Sequence, residues 1–123
     1  MSKATQQDMF DRVYRHLTTQ LEKSLLVGDD GVCAYRSHNG LRCAVGCLIA
    51  DEHYSEHLEG GSADDPEVAW AVGLSLGLGR DLDSDEALLA LELQNVHDTR
   101  SPSEWHEALR HLAKARGLRI PQS

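Results

Sequence analysis

Apolar residues recur at helical spacing through Met9, Phe10, Val13, Leu17, Leu21 and Leu25, which predicts an amphipathic first helix over residues 5–27. Thr5 with Asp8 three positions later forms its start signal, and Gly28 its stop. Between residues 83 and 99 a second strong helical pattern buries Leu89, Leu93 and Val96, flanked by Leu88, behind a capping box of Asp83 and Glu86. Ser101-Pro102-Ser103-Glu104 repeats that capping chemistry and opens a last helix, whose inward face is Trp105, Ala108, Leu109, Leu112 and Ala113 and whose stop is Gly117. A shorter helix starts at Asp65-Pro66, with Val68, Ala69, Val72 and Trp70 turned inward, and is cut off by Gly73, Gly77 and Gly79.

The pattern changes between residues 32 and 54. Val32 to Arg36 is compatible with a strand, and Asn39-Gly40 tolerates the positive φ of a tight turn, so a small β-hairpin is expected near residues 32–46. A three-residue loop at His38, Asn39 and Gly40 sets Cys33 opposite Val45, whereas a two- or four-residue loop reverses the face. The second arm, Cys43 to Ala50, also reads as the opening of a helix, with Cys43 and Cys47 one turn apart; the alanines and the following Asp51, Glu52 and His53 favour that helix. Residues 55–65, with Gly60, Gly61 and Ser62 in the middle, read as a loop. The expectation is an α+β fold, mainly α: one compact domain spanning 1–123, of four to five helices with a small hairpin.

Composition narrows the picture. Only 5% of residues are aromatic while leucine is abundant, so the core should be built from leucine, valine and alanine. The net charge of −8 opposes general nucleic-acid binding, which draws its affinity from clustered lysine and arginine. The excess is local: between Asp51 and Glu92 twelve acids face Arg80 alone. Such a segment either is a solvated face or meets a basic protein surface. With Asp65, Asp83 and Glu86 assigned to helix caps, the candidates for a partner surface are Asp51, Glu52, Glu56, Glu59 and Asp64. A basic last helix with Arg110, Lys114, Arg116 and Arg119 offers a weaker route to nucleic acid. No stretch approaches the roughly 20 apolar residues of a membrane span, and no apolar run follows Met1 to Thr5, so a cytoplasmic protein is expected.

The candidate chemistry is concentrated in three cysteines, whose odd number points to thiols or ligands rather than to a disulfide framework. Cys43, Cys47, His53 and His57 have the residue types of a tetrahedral zinc site. On one continuous helix, however, Cys43 and His53 would stand about 15 Å apart along the axis. The alternatives are apolar core thiols, or a nucleophile, for which Cys33 with His38, His53 or His57 is the best choice. His97-Asp98 with Arg100, near His106, could form a polar cluster; alternatively His97 is a last-turn residue favoured by the helix dipole. Neither a nucleophile elbow, a zinc-protease helix nor a phosphate-binding glycine loop is present, so no cofactor and no enzymatic activity are expected.

The residues Cys33-x-Tyr35-Arg36, Gly40-x-x-Cys43-Ala44-Val45-Gly46-Cys47-Leu48-Ile49 and Asp51-Glu52-x-Tyr54 resemble a family of small uncharacterised proteins of bacterial and phage genomes. The likeness continues through Leu93-Gln94-x-x-His97-Asp98 and Trp105-x3-Leu109-x2-Leu112-Ala113-x3-Gly117-Leu118; Ala50 departs from it, where such sequences often carry proline. The resemblance implies only a phage or mobile-element context; with the charge asymmetry and the missing catalytic signature it leads to the expectation of a non-enzymatic, phage- or prophage-related protein-binding module, an inhibitor or modulator of a basic nucleic-acid-handling or defence protein. The alternative is a metal- or thiol-dependent protein centred on Cys33, Cys43 and Cys47.

Overall fold

Met9, Phe10, Val13 and Leu17 recur every three to four residues, and all four are fully buried on one face of α1, Lys3–Gln20. Burying each such side chain contributes about 1.5–3 kcal/mol, so this stripe anchors the whole domain. The computed structural model describes residues 3–24, 34–37, 40–59, 62 and 64–121. Within them three further α-helices follow: α2, Pro66–Ser75; α3, Ser84–Thr99; and α4, Trp105–Arg116. Helix α1 packs against α3, α4 and a 3₁₀ turn at Gly46–Leu48, while α3 and α4 pack on each other. One hydrophobic cluster runs through all of them, from Met9 to Leu118.

The caps read from the sequence at Asp65 and Asp83 are formed. Asp65 accepts the Glu67 N–H ahead of Pro66, and Asp83 and Glu86 exchange backbone hydrogen bonds as a full capping box. Glu86 also does more than cap. It is fully buried and takes both guanidinium nitrogens of Arg80, at 2.9 and 3.1 Å, a bidentate pair that neutralises a carboxylate inside the core. That contact raises the Arg80 pKa further. Glu104 accepts the Ser101 N–H at 3.1 Å, which lowers its pKa. Residues 102–104 form a 3₁₀ turn, so the α-helix proper starts at Trp105 rather than at Pro102. At the far end Gly117, at φ 68°, lets the Leu118 N–H return to Ala113 O and buries Leu118.

Three expectations are corrected. Helix α1 begins at Lys3, with Thr5 inside it, and ends at Gln20; Leu21 takes φ 51° and is 51% exposed instead of continuing the stripe. Leu25, Val27 and Gly28 lie outside the described residues. Trp70 and Leu88 point outward, because Val68, Ala69, Ala71 and Val72, and Leu89 and Ala90, already fill the space beneath α2 and α3. The hairpin is reduced to one antiparallel bridge, Arg36 with Arg42, and no strand occurs among the described residues.

The register of that bridge is the one a three-residue loop produces, and the Ser37 N–H donates to Leu41 O at 2.8 Å. Cys33, His38 and Asn39 lie outside the described residues. The arms do not extend because side chains take the place of a partner strand. Gln20 pairs with both backbone groups of Arg42, accepting its N–H at 3.0 Å and donating to its carbonyl at 2.8 Å. Gln94 accepts the Val45 N–H at 3.0 Å, and Glu59 accepts the N–H groups of Tyr35 and Arg36 at 2.8 and 3.1 Å. The backbone is thereby satisfied without a sheet. After Cys43 the chain makes a single helical turn and leaves the axis at Ile49, so the expected helix is one 3₁₀ turn long.

Candidate functional site

The acidic segment folds into 3₁₀ turns at Asp51–His53 and Glu56–Leu58, which lead through residues 62 and 64–65 into α2. Leu58 is buried and pins the second turn to the core, so this stretch is more ordered than a loop reading implies. Gly60 and Gly61 lie outside the described residues. The five candidate acids part company here. Glu59 is turned inward, holding Tyr35, Arg36 and the Tyr54 hydroxyl, which donates to it at 2.6 Å. Burial, and next this carboxylate, push the Tyr54 phenol up to about 12. Asp51 joins two guanidinium groups, Arg36 at 2.8 Å and Arg42 at 3.2 Å. Asp64 accepts the Ser62 hydroxyl. Glu52 and Glu56 are exposed and make no ion pair among the described residues.

Glu52 leads to a feature the periodicity did not reveal. With His53, Tyr54, Ser55, His57, Leu58, Glu67, Trp70, Ala71 and Leu74 it lines a cleft of about 390 Å³ between the two turns and α2. Trp70, 49% exposed, is its one tryptophan. His57 reaches Glu67 through Nε2 at 3.0 Å, and its Nδ1 lies 2.6 Å from the Ser55 hydroxyl. Since a carboxylate only accepts, Nε2–H donates to Glu67. The arrangement combines an accessible aromatic face with carboxylates, the chemistry that recognises a lysine or arginine side chain. A mixed run of valine, alanine and tryptophan gave only one hint of it: at helical spacing Trp70 lies off the Val68–Val72 line, on the side of Glu67.

The metal candidates are not brought together. Cys43 is fully buried, and its sulfur accepts the Gly46 N–H at 3.2 Å; Cys47 donates to Ala44 O at 3.0 Å. Burial pushes the Cys43 thiol well up and raises Cys47 to about 12. His53 and His57 line the separate Trp70 cleft, and among the described residues no three His, Cys, Asp or Glu side chains are grouped to hold a metal ion.

His97 stands in the last turn of α3, as the sequence suggested, and is fully buried there. Its Nε2 accepts the Ser24 N–H at 3.0 Å, so Nδ1–H donates to Asp98 at 2.8 Å, and the ring stacks on Trp105 at 5.3 Å. His106 meets the Tyr14 hydroxyl at 2.7 Å instead of joining this group. In the last helix Arg116 is taken up by Glu92 at 2.6 Å, which leaves Arg110 and Lys114 beside His106, His111 and Glu107. Among the described residues no helix is long and apolar enough to cross a membrane.

Compared with protein-family models, curated proteins and solved structures, the chain matches none of them. The resemblance carried by residues 33–54 and 93–118 therefore stands on those residues alone. Several of them, Gln94, His97 and Asp98 included, hold the backbone of the central stretch or support the groups that do.

Proposed function

We propose that the protein is a non-enzymatic binding module whose acidic Trp70 cleft takes a lysine or arginine side chain from a basic protein partner. The observation that carries this reading is the half-exposed tryptophan set between α2 and the acidic turns, with Glu52 and Glu67 in the same lining. Tryptophan and arginine dominate the energetic centres of protein interfaces, and a desolvated cation over an indole face contributes about 2 kcal/mol. The surrounding acids, Glu56 and Asp64, would speed encounter with such a partner and add salt dependence. Asp51, exposed but paired with Arg36 and Arg42, and Glu59, paired with the Tyr35 and Arg36 backbone, are engaged within the fold. A partner that handles nucleic acid, in a bacterial or phage setting, is the basic surface this chemistry fits best.

The test is a titration with a short lysine- and arginine-rich peptide, read by calorimetry. Trp70→Ala should weaken binding by at least tenfold, the equivalent of about 1.4 kcal/mol, and the double variant Glu52→Lys with Glu56→Lys should flatten the salt dependence. Binding that survives Trp70→Ala unchanged overturns the cleft as the anchor.

A further inference from the structure

A second cleft has the opposite character. Arg12, Arg15 and His16 occupy one face of α1, three and four residues apart. Arg42 from the bridge, Gly40 from its turn and Cys47 from the 3₁₀ turn close the other side, leaving a space of about 420 Å³. In a chain of net charge −8, three guanidinium groups line this one cleft and, among the described residues, no carboxylate does. The charges are felt across it: Arg42 and Arg12 both act to lower the Cys47 thiol pKa, although burial prevails. His16 donates Nε2–H to Arg42 O at 2.9 Å, and burial lowers the pKa of the ring against the opposing pull of that hydrogen bond.

Two of the arginines are partly balanced from outside the cleft, Arg12 by Asp8 at 3.0 Å and Arg42 by Asp51 at 3.2 Å. Arg15 has no such partner among the described residues and is exposed. Arg42 is held in place by Gln20, which grips both of its backbone groups. The guanidinium fork suits a planar or tetrahedral oxyanion, and several forks on one concave surface suit a dianion better than a single carboxylate. The space matches a small molecule rather than a polymer groove.

We infer that this cleft is an oxyanion site that takes the phosphate group of a small phosphorylated molecule, gripped by Arg12, Arg15 and Arg42. It shares no residue with the Trp70 cleft and does not depend on it. The experiment is an amide-shift titration of the whole chain with inorganic phosphate and with phenyl phosphate, against sodium chloride at equal ionic strength. Saturable shifts at Arg12, Arg15, His16, Arg42 and Cys47 are expected with both phosphates. Arg15→Ala should weaken binding at least fivefold, with Arg15→Lys recovering part of the loss. Because Arg15 is exposed and makes no hydrogen bond or ion pair among the described residues, Arg15→Ala should melt at the same temperature as the parent protein. Shifts that fail to saturate and are matched by chloride overturn the site. So does unchanged affinity in Arg15→Ala, or binding that appears only with an oligonucleotide.

Discussion

Cys43 and Cys47 stand one turn apart yet have different neighbours. Cys43 is sealed in the core under Ala44 and Val45, whereas Cys47 is half-buried at the floor of the arginine cleft. Thiolate is the reactive form of cysteine, and adjacent cations ordinarily favour it. Here burial wins, since the Cys47 thiol rises from 9.0 to about 12 in spite of Arg42 and Arg12. Three units leave roughly a thousandth of the thiolate that an unperturbed thiol carries at neutral pH. In a Cys33→Ser background, a disulfide reagent at pH 8 should therefore label the folded protein far more slowly than the unfolded chain. The sign for stability follows from the same shift. The folded state holds this proton more tightly, so the contribution is complete below about pH 9 and is lost as pH climbs towards 12. Rapid labelling of Cys47 at pH 8 with the fold intact would show that cations, not burial, set its chemistry.

At the scale of elements, close backbone approach decides where two glycines stand. Gly73 lies inside α2, and a Cβ built there would come within 1.8 Å of Arg80 O; at Gly46 it would come within 1.9 Å of Tyr35 O. Both neighbours are backbone, so neither can step aside as a flexible side chain would. Gly73→Ala should cost about 2–4 kcal/mol by driving α2 away from residues 80–81, whereas Gly77→Ala, strained only by its φ of 79°, should cost about 1 kcal/mol. Equal melting temperatures for the two variants would mean that the contact at Arg80 yields freely. Sequence alone placed Gly73 among three helix breakers, because a glycine that ends a helix and one that admits another segment of backbone look alike. What was legible was local: the caps at Asp65, Asp83 and Ser101, the stop at Gly117 and the stripe from Met9 to Leu17 all act within a few residues. What was not legible depended on distant partners. The end of α1 at Gln20 has no breaker beside it, and its side chain is committed to Arg42, 22 residues away. Glu59, counted as a surface acid, spends its carboxylate on Tyr35 and Arg36, and the strand-like arms stop short because glutamine and glutamate amply replace a second strand.

Over the whole molecule the charge separates by use rather than by count. Glu59, Glu86 and Glu92 are consumed within the fold, while Glu52 and Glu56 remain exposed near Trp70 and three arginines gather around Cys47. An acidic cleft and a basic cleft on one small domain should each lose affinity as salt rises, but for opposite ligands. The two tryptophans make the difference measurable, since Trp70 is half-exposed and Trp105 fully buried. Acrylamide should quench only the Trp70 emission, and a lysine-rich peptide should protect it, whereas phosphate at saturating concentration should leave it unchanged. In Trp70→Phe the remaining signal comes from Trp105 beneath His97, so neither ligand should move it. If phosphate protected Trp70 as well as the peptide does, the two clefts would be coupled through the segment that runs from one to the other, residues 42–54, and the acidic turns would have to move when the arginines are occupied. Independent responses would instead mean that Asp51, bonded to Arg36 and Arg42, holds that segment rigid between them.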